Sequence, residues 1–218
     1  YLVGGVVRDK LMNKPPHDED YCVTGITAEK FQKTFPEAHI RGKAFEVFDM
    51  YGKEFAIARI ETKYGLGHKD FEIETNPNIT IEQDLARRDI TINSIAKDVL
   101  TGRIIDPFNG GKDIENKIIK ATTKAFKEDP LRVYRVARFA AQLGFKVEQQ
   151  TIEQMEELKN ELDTLSGERV FEELKKALNT QKPSIFFEVL RKSNILDIHF
   201  KEIDDLVGAE QPIQYHPE

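Results

Sequence analysis

The chain has 218 residues, a formal net charge of −6 and a sequence pI near 5.5, with 39% hydrophobic and 32% charged residues. This composition is typical of a globular protein with one large or two modest cores, and it argues against long disordered stretches. The acidic balance excludes a protein that binds RNA mainly through a positive overall field, so contacts with nucleic acid must come from local basic clusters or from a further part of the protein.

The first half of the chain contains short strand-like runs separated by turns rich in glycine and proline. Strands are predicted at Tyr1–Val3, Asp20–Val23, Ala44–Met50, Phe55–Ile60 and Phe71–Glu74. Short helices are predicted at Val7–Met12 and Ala28–Phe35.

From about Asp129 onward the hydrophobic residues recur with the period of a helix. Helices are predicted at Leu131–Leu143, Gln150–Leu162, Arg169–Leu178 and Ile185–Lys192. Gly144 is typical of a helix end, Ser166 of an N-cap and Pro183 of a helix start. The sequence therefore predicts an α+β fold, with a mixed α/β domain over residues 1–120 and an all-helical domain over residues 121–208.

The single cysteine, Cys22, excludes an internal disulfide framework and fits a reducing cytoplasm. No apolar run approaches the roughly 18 residues that cross a bilayer, and no signal segment opens the chain. We therefore expect a cytoplasmic protein with no membrane partner. Because the chain begins at Tyr1 and stops at Glu218 without a helix-ending signal, we expect it to be part of a longer protein.

A glycine pair, Gly4-Gly5, follows the first predicted strand and opens a helix. Backbone N–H groups at such a turn can bind phosphate, and Arg8, one turn further on, can form two hydrogen bonds to it. A strand-to-helix turn also needs glycine for steric reasons alone, so both interpretations stay open.

Two acidic residues, Asp18 and Asp20, begin the second strand. Alternate residues of a strand face the same side, so these side chains project together with Cα atoms about 6.5–7 Å apart. Neighbouring carboxylates repel each other unless a cation lies between them, and Mg²⁺ prefers oxygen ligands. A charged turn entering a strand is the alternative, but the nearby glycine turn favours a metal and phosphate site for phosphoryl transfer.

Three further motifs follow in order: DLARRDITINSIA at residues 84–96, DPFNGG at residues 106–111 and EDPLRVYRVARF at residues 128–139. Together with the first motif, they resemble the nucleotidyltransferase head of class II CCA-adding enzymes and bacterial poly(A) polymerases. The resemblance covers residues 1 to about 140 and continues into a similar helical neck. It implies a polymerase-β-like head with a mixed sheet and flanking helices, followed by an all-α neck.

The resemblance also implies roles for individual residues. Asp18 and Asp20 are the expected catalytic ligands of Mg²⁺, and Arg88 is the expected nucleotide clamp. Asp89 and Asn93, four apart on a predicted helix, can together bind both ribose hydroxyls. The residues expected to bind the nucleotide are Gly5, Arg8, Arg88, Asp89, Asn93, Asp129, Arg132, Arg135 and Arg138.

Asp129 and Arg132 are expected to be neighbours on a base-reading helix over residues 129–143. A carboxylate acceptor beside a guanidinium donor matches cytosine and adenine, which each present an amine beside an acceptor nitrogen. Uracil and guanine present the opposite order, so hydrogen-bond polarity predicts selection of CTP and ATP. Without the resemblance, such a pair is usually a surface ion pair.

Three further predictions concern the site and its surroundings. Glu61 is either a third carboxylate near the metals or the partner of Arg59, and residues 65–70 are predicted to form a mobile loop. Residues 209–218 resemble the junction to the C-terminal HD-type phosphohydrolase domain of some relatives. The expectation is that a full-length protein includes that domain and that this chain lacks its activity.

The predicted function is template-independent addition of CMP and AMP from CTP and ATP to the 3′ end of tRNA, with Mg²⁺ as cofactor and pyrophosphate as product. A poly(A) polymerase, an A-only enzyme or a CC-only enzyme of the same family is the alternative. A catalytically silent nucleotide- or RNA-binding module is the second alternative. No protein partner is implied.

Overall fold

The structure is a computed structural model that describes residues 1–15, 18–41, 47–63 and 71–209. The strands in chain order are β1 Leu2–Val3, β2 Asp20–Val23, β3 His39–Arg41, β4 Val47–Met50, β5 Lys53–Ile57, β6 Ile60–Lys63, β7 Phe71–Glu74, β8 Ala96–Lys97, β9 Ile104–Ile105, β10 Ile118–Ile119 and β11 Lys146–Val147. The helices are α1 Gly5–Leu11, α2 Ala28–Thr34, α3 Ile81–Ala86, α4 Gly110–Asn116, α5 Arg132–Leu143, α6 Gln149–Glu157, α7 Gly167–Leu178, α8 Ser184–Lys192, α9 Leu196–His199 and α10 Lys201–Asp204.

A seven-stranded sheet forms the centre of the first half, in the order β3-β4-β5-β2-β1-β8-β9. The pair β2–β5 is parallel and the other pairs in this sheet are antiparallel, so the sheet is mixed, as predicted. The short β1 lies between β2 and β8 and leads directly into α1. This order brings the start of β2 next to the β1–α1 turn, where the glycine pair lies.

The head, residues 1–120, is stabilised by several small hydrophobic clusters on and around the sheet. Alternation along β4 turns Phe48 and Met50 inward, where Phe48 packs against Phe31 of α2 with ring centroids 4.8 Å apart. A second cluster packs Val6 and Val7 of α1 against Ile95. Each cluster is small because a thin sheet with short strands offers few inward positions.

The neck, residues 121–208, is built around α5, and one large hydrophobic cluster surrounds that helix. Tyr134, Val136 and Ala140 of α5 are fully buried in it. Ile90 and Ile92 of the head belong to the same cluster, and β10 pairs with β11 across the boundary. The head and neck therefore share hydrophobic packing as well as a strand pair.

The structure differs from the sequence-based prediction at several places. The predicted all-helical half contains the strand β11, and the helix predicted to 162 ends at Glu157 and is followed by a 3₁₀ helix at Lys159–Thr164. The strand predicted to Ile60 ends at Ile57, and β6 then pairs with β7 in a separate sheet. Gly144 ends α5 with a φ of 68°, as predicted for a helix C-cap.

The base-reading helix predicted over residues 129–143 begins only at Arg132. Asp129 is extended, with φ −118° and ψ 110°. The reason is visible in the sequence, because Pro130 follows and disfavours the helical conformation in the residue before it. None of the described helices is long and apolar enough to span a bilayer.

Candidate active site

A cleft with a volume of about 790 Å³ lies between the sheet of the head and the helices α5 and α7 of the neck. All eleven residues predicted for the site line this cleft. They are Gly5, Arg8, Asp18, Asp20, Arg88, Asp89, Asn93, Asp129, Arg132, Arg135 and Arg138. The fold thus brings residues from three of the four motifs to one surface, and no residue of the DPFNGG motif lines it.

The charge of the cleft is opposite to that of the whole chain. Nine basic and five acidic side chains line it, whereas the chain carries a net charge of −6. The local basic cluster that an acidic protein needs for a polyanionic ligand is therefore present here. A concave surface with one dominant sign of charge also concentrates an oppositely charged ligand.

Asp20 is the first residue of β2, whereas Asp18, predicted to begin the same strand, lies two residues before it; both line the head side of the cleft. Both residues are exposed, and neither side chain forms a hydrogen bond or ion pair within the described residues. Desolvation by the cleft walls raises the pKa of Asp20, and the charges of Glu54 and Asp18 raise it further, while Arg88 acts in the opposite direction. The two carboxylates therefore repel each other, and no side chain bound to them relieves that repulsion.

These two carboxylates fit a divalent cation by their chemistry. They offer oxygen donors from alternate positions of one strand end, and Mg²⁺ usually combines one or two carboxylates with phosphate oxygens and water. Among the described residues there is no group of three or more His, Cys, Asp or Glu side chains that could hold a metal. A cation held by these two carboxylates would thus take its remaining ligands from water and from a bound phosphate.

Glu61 lines the cleft but is already engaged by two guanidinium groups. Its Oε1 accepts a hydrogen bond from Arg59 Nε at 2.8 Å and another from Arg87 Nη1 at 2.9 Å. Of the two alternatives for Glu61, the structure therefore has the Arg–Glu pair.

The glycine pair turns the chain from β1 into α1. Gly4 has φ 73° and ψ −136°, a conformation that residues with a Cβ rarely adopt. A Cβ on Gly4 would also lie 3.2 Å from Nη1 of Arg88. Gly4 is thus required by the backbone and by the approach of Arg88, whereas Gly5 has an ordinary conformation and lines the cleft beside Arg8.

A chain of polar contacts crosses the cleft floor from the head to the neck. Arg8 Nη1 donates to Asn93 Oδ1 at 2.6 Å, and Asn93 Nδ2 lies 3.4 Å from Asp89 Oδ1. Arg135 Nε of α5 donates to Asp89 Oδ2 at 2.8 Å. Burial alone would raise the pKa of Asp89, but Arg135 and Arg132 lower it to about 2.

The predicted pairing of Asp89 with Asn93 is found, but the predicted helix is not. The helix α3 ends at Ala86, and Asn93 belongs to a 3₁₀ helix at Thr91–Asn93. A tight turn brings the two side chains together, which a helix would also do. Their adjacency could therefore be predicted, while the local backbone could not.

Arg87 and Arg88 are both anchored by Asp84, a residue that the sequence interpretation passed over. Asp84 is almost fully buried and accepts from Arg87 Nη2 at 2.8 Å and Arg88 Nη2 at 3.1 Å. Its burial would raise its pKa, but the two arginines lower the pKa below its usual value. The i,i+3 and i,i+4 spacing was the available signal for this anchor.

The predicted pairing of the Asp129 and Arg132 side chains is not found, although the backbone N–H of Arg132 donates to the carbonyl oxygen of Asp129 at 3.0 Å. Arg132 Nη1 donates to the carbonyl oxygen of Ala125 at 2.5 Å, and its Nη2 donates to that of Arg87 at 2.7 Å. Asp129 instead pairs with Arg169 of α7, whose Nη2 lies 3.2 Å from Asp129 Oδ2. Both predicted residues still line the cleft, but each is held by a different part of the chain.

An aromatic ring lies among the arginines of α5. The guanidinium of Arg138 lies 3.8 Å from the ring centroid of Phe139, and those of Arg8 and Arg135 lie 5.3 and 5.7 Å from it. Arg138 Nε also donates to Glu173 of α7 at 2.5 Å. The Phe139 side chain is largely buried and also lines the cleft.

Further cleft residues were not predicted because their spacing is also that of an ordinary solvated helix face. They are Arg87, Leu131, Gln142, Arg169 and Lys176. The mobile loop predicted at residues 65–70 lies outside the described residues, as does the predicted junction at 209–218 except for its first residue.

Comparison with protein-family models places two matches on the chain. Residues 1–120 match the poly A polymerase head domain, and residues 144–207 match the probable RNA and SrmB- binding site of polymerase A. The chain belongs to the poly A polymerase head domain family. Residues 121–143, which include the motif EDPLRVYRVARF, lie between the two matched ranges.

Similar curated proteins carry a consistent name. The multifunctional CCA protein of Haemophilus ducreyi is 47% identical over an alignment that covers all of this chain and 54% of the relative. That of Actinobacillus pleuropneumoniae serotype 5b is 46% identical with the same coverage. The chain spans about half the length of the curated relatives it matches.

Solved structures of the same fold include two with bound substrates. The CCA-adding enzyme of Bacillus stearothermophilus in complex with CTP is 32% identical, with a TM-score of 0.69 over 87% of this chain and 47% of that one. A tRNA nucleotidyltransferase complexed with a primer tRNA and an incoming ATP analog is 30% identical, with a TM-score of 0.70 over 92% of this chain and 59% of that one. The predicted polymerase-β-like nucleotidyltransferase fold is thereby confirmed.

Proposed function

We propose that this chain carries the catalytic site of an enzyme that adds CMP and AMP to the 3′ end of tRNA, from CTP and ATP, in the cytoplasm. The observation that carries the proposal is the meeting of two unpaired carboxylates, Asp18 and Asp20, with a cleft rich in arginine. A nucleoside triphosphate with a divalent cation complements both halves of this surface, because its phosphates suit the arginines and its cation suits the carboxylates.

In this proposal the arginines of the cleft hold the triphosphate and orient its α-phosphate toward the attacking 3′ hydroxyl. Arg8 and Arg88 lie beside the glycine turn, close to Asp18 and Asp20. A Mg²⁺ ion held by the two carboxylates would neutralise charge on the phosphates and on the leaving pyrophosphate. Catalysis would then depend mainly on positioning and charge neutralisation, with little covalent chemistry for the protein to perform.

Base choice is assigned to the neck side of the cleft. Asp129 offers a carboxylate acceptor. Arg132 donates two of its five side-chain N–H groups to backbone carbonyl oxygens, and the other three have no acceptor among the described residues. Cytosine and adenine present an amine beside an acceptor nitrogen and match these groups, whereas uracil and guanine would place like groups face to face. The multifunctional CCA proteins and the CTP complex among the similar proteins support this substrate pair.

The test uses a tRNA that ends before its CCA sequence, together with each nucleoside triphosphate alone and in mixtures. We expect incorporation of C followed by A and none of U or G. Calorimetric titration of the chain with each nucleotide in the presence of Mg²⁺ measures the binding step separately. CTP and ATP are expected to bind much more tightly than UTP and GTP.

Two outcomes would lead to the alternatives within the same fold. Long A tracts without any C would assign the chain to a poly(A) polymerase, a single A added only to a tRNA that already ends in CC to an A-only enzyme, and C without A to a CC-only enzyme. Selective nucleotide binding without incorporation, in the full-length protein as well, would assign a silent binding module.

A further inference from the structure

The helix α7 contacts two of the predicted nucleotide-binding residues, Asp129 and Arg138. Arg169 Nη2 lies 3.2 Å from Asp129 Oδ2, and Glu173 Oε2 accepts from Arg138 Nε at 2.5 Å. Arg169 and Glu173 are four residues apart, so they lie one above the other on the same face of the helix. One turn of α7 thus contacts both Asp129, which precedes α5, and Arg138, which lies within α5.

The conformation of Asp129 depends on few groups. Its backbone is extended ahead of Pro130, and its Oδ1 accepts a hydrogen bond from the backbone N–H of Leu131 at 3.1 Å. Arg132, the neighbour that spacing suggests, is turned toward the carbonyl oxygens of Ala125 and Arg87. In the described part of the chain, Arg169 is the side chain that forms an ion pair with Asp129.

The dependence is mutual. Arg169 Nη1 is buried and has no hydrogen-bond partner among residues 1–15, 18–41, 47–63 and 71–209. Asp129 is the acceptor that Arg169 has within those ranges. A partly buried guanidinium with one acceptor, and with a second nitrogen left unsatisfied, is poorly explained by stabilisation of the fold alone.

We infer that Arg169 is a positioning residue that fixes the Asp129 carboxylate and thereby determines how strictly the site selects its base; this rests on the proposed function. The Leu131 amide occupies one carboxylate oxygen, and Arg169 holds the plane of the group. A carboxylate held in one orientation accepts from an amine and repels a carbonyl oxygen at the same place. A carboxylate free to rotate away loses the contact with the amine and also the repulsion of the carbonyl.

A purely structural tether between α7 and the segment before α5 makes a different prediction. Loss of such a tether would lower the unfolding temperature and weaken the binding of all nucleotides by a similar factor. Loss of a positioning residue changes the ratio of affinities for CTP and UTP, which a uniform loosening of the cleft leaves unchanged. The ratio is therefore the quantity to measure.

The experiment titrates the chain with CTP and with UTP in the presence of Mg²⁺, as the wild type and as Arg169→Met and Arg169→Lys. We expect Arg169→Met to lower the CTP-to-UTP affinity ratio by roughly ten- to a hundredfold. Arg169→Lys should recover part of the ratio, because it keeps the charge and loses the planar fork. Lys175→Met is the matched control on α7, since Lys175 is exposed and pairs with Glu172 outside the cleft.

A double-mutant cycle with Asp129→Asn separates the inference from the function on which it rests. If Arg169 acts through Asp129, the double variant should discriminate no worse than Asp129→Asn alone. An unchanged ratio in Arg169→Met, with the ratio lost in Asp129→Asn, would overturn the inference and leave the proposed function standing. An unchanged ratio in Asp129→Asn would instead remove base selection by Asp129 from the proposed function.

Two remaining outcomes also decide the matter. Equal losses for CTP and UTP, with a lower unfolding temperature, would show that Arg169 is a structural tether and that the inference is wrong. If Arg169→Met does not fold, Arg169→Lys carries the test. A severalfold lower ratio in that folded variant supports the inference, and a wild-type ratio overturns it.

Discussion

The two walls of the cleft differ in how their charged residues are held. On the head side, Asp18 and Asp20 are exposed and have no bonded partner among the described residues. On the neck side, Arg135 is paired with Asp89 and Arg138 with Glu173, and the helix that carries both arginines is largely buried. The head side thus combines arginines that are already anchored with two carboxylates that have no bonded partner among the described residues, whereas the two neck-side arginines are both held by ion pairs.

The hydrophobic cores follow the same division. The head has small separate clusters on a thin sheet, and the neck has one continuous cluster around α5. A side chain on a rigid, well-packed helix loses little freedom when a ligand binds, which favours selectivity. The contrast supports the proposed division, with metal and phosphate binding on the head and base selection on the neck.

The largest expected effect is on nucleotide transfer, and it follows from replacing one of the two head-side carboxylates. Asp18→Asn should reduce nucleotide transfer by about a thousandfold or more, because it removes a ligand of the cation that neutralises the reacting phosphates. Its unfolding free energy should change by only about 0.5 kcal/mol, since the side chain is exposed and unpaired. Steady-state turnover and urea unfolding measure the two quantities.

The control for this variant is Glu29→Gln, which removes an exposed carboxylate from a surface ion pair on α2. It should leave both turnover and stability near the wild-type values. Normal turnover in Asp18→Asn would mean that the two aspartates are a charged strand entry, and the proposed division between head and neck would lose its head half.

A second prediction concerns the packing of Gly110 against the turn at Thr91–Asn93, which carries the cleft residue Asn93. A Cβ on Gly110 would lie 2.2 Å from the carbonyl oxygen of Thr91, so Gly110→Ala must displace the turn that carries Asn93. We expect a loss of about 3 kcal/mol in unfolding free energy together with weaker nucleotide binding. Gly167→Ala is the control, because nothing lies within 4 Å of its Cβ position and alanine favours a helix. Equal stability of the two variants would contradict this packing.

Much of the fold could be predicted from the sequence because its elements are short and clearly bounded. The strand Phe71–Glu74 was predicted with its observed limits, and Gly144 was predicted to end α5. The eleven residues predicted for the site all line one cleft, although the separation of their motifs along the chain gives no distance between them. The order of the motifs, through the family resemblance, predicted that these residues share one site, which hydrophobic periodicity alone could not predict.

The partners of the site residues could not be predicted from sequence spacing. Spacing suggests Arg132 as the partner of Asp129, but the actual partner, Arg169, lies forty residues away on another helix. Asp84 could have been identified as the anchor of Arg88, because both lie within one turn along the chain. Contacts within one helix turn can be predicted from spacing, whereas contacts between helices depend on packing that a single sequence does not specify.

The third prediction tests the ion pair that joins head and neck. The pKa of Asp89 is lowered from 3.8 to about 2, so the folded state gains stability above pH 4 and loses it as the pH falls toward 2. The shift corresponds to about 2 kcal/mol. The difference in unfolding free energy between the wild type and Asp89→Asn should shrink by that amount between pH 4 and pH 2. A difference that does not change with pH would mean that Arg135 does not hold a charged Asp89.

The smallest expected effect concerns Cys22, which lies in β2 two residues after Asp20. Burial, together with the nearby charge of Asp84, raises the pKa of its thiol to about 12, and the side chain is almost fully buried. A thiol reagent at pH 8 should therefore label the native chain only during transient opening of the head, and should label it fully in urea. If the native chain is labelled as fast as a free thiol, β2 is not closed over Cys22. The two aspartates near the start of that strand would then lack a fixed backbone that holds them together. The two walls of the cleft would then differ in how rigid their backbones are, and no longer in how their charged residues are paired.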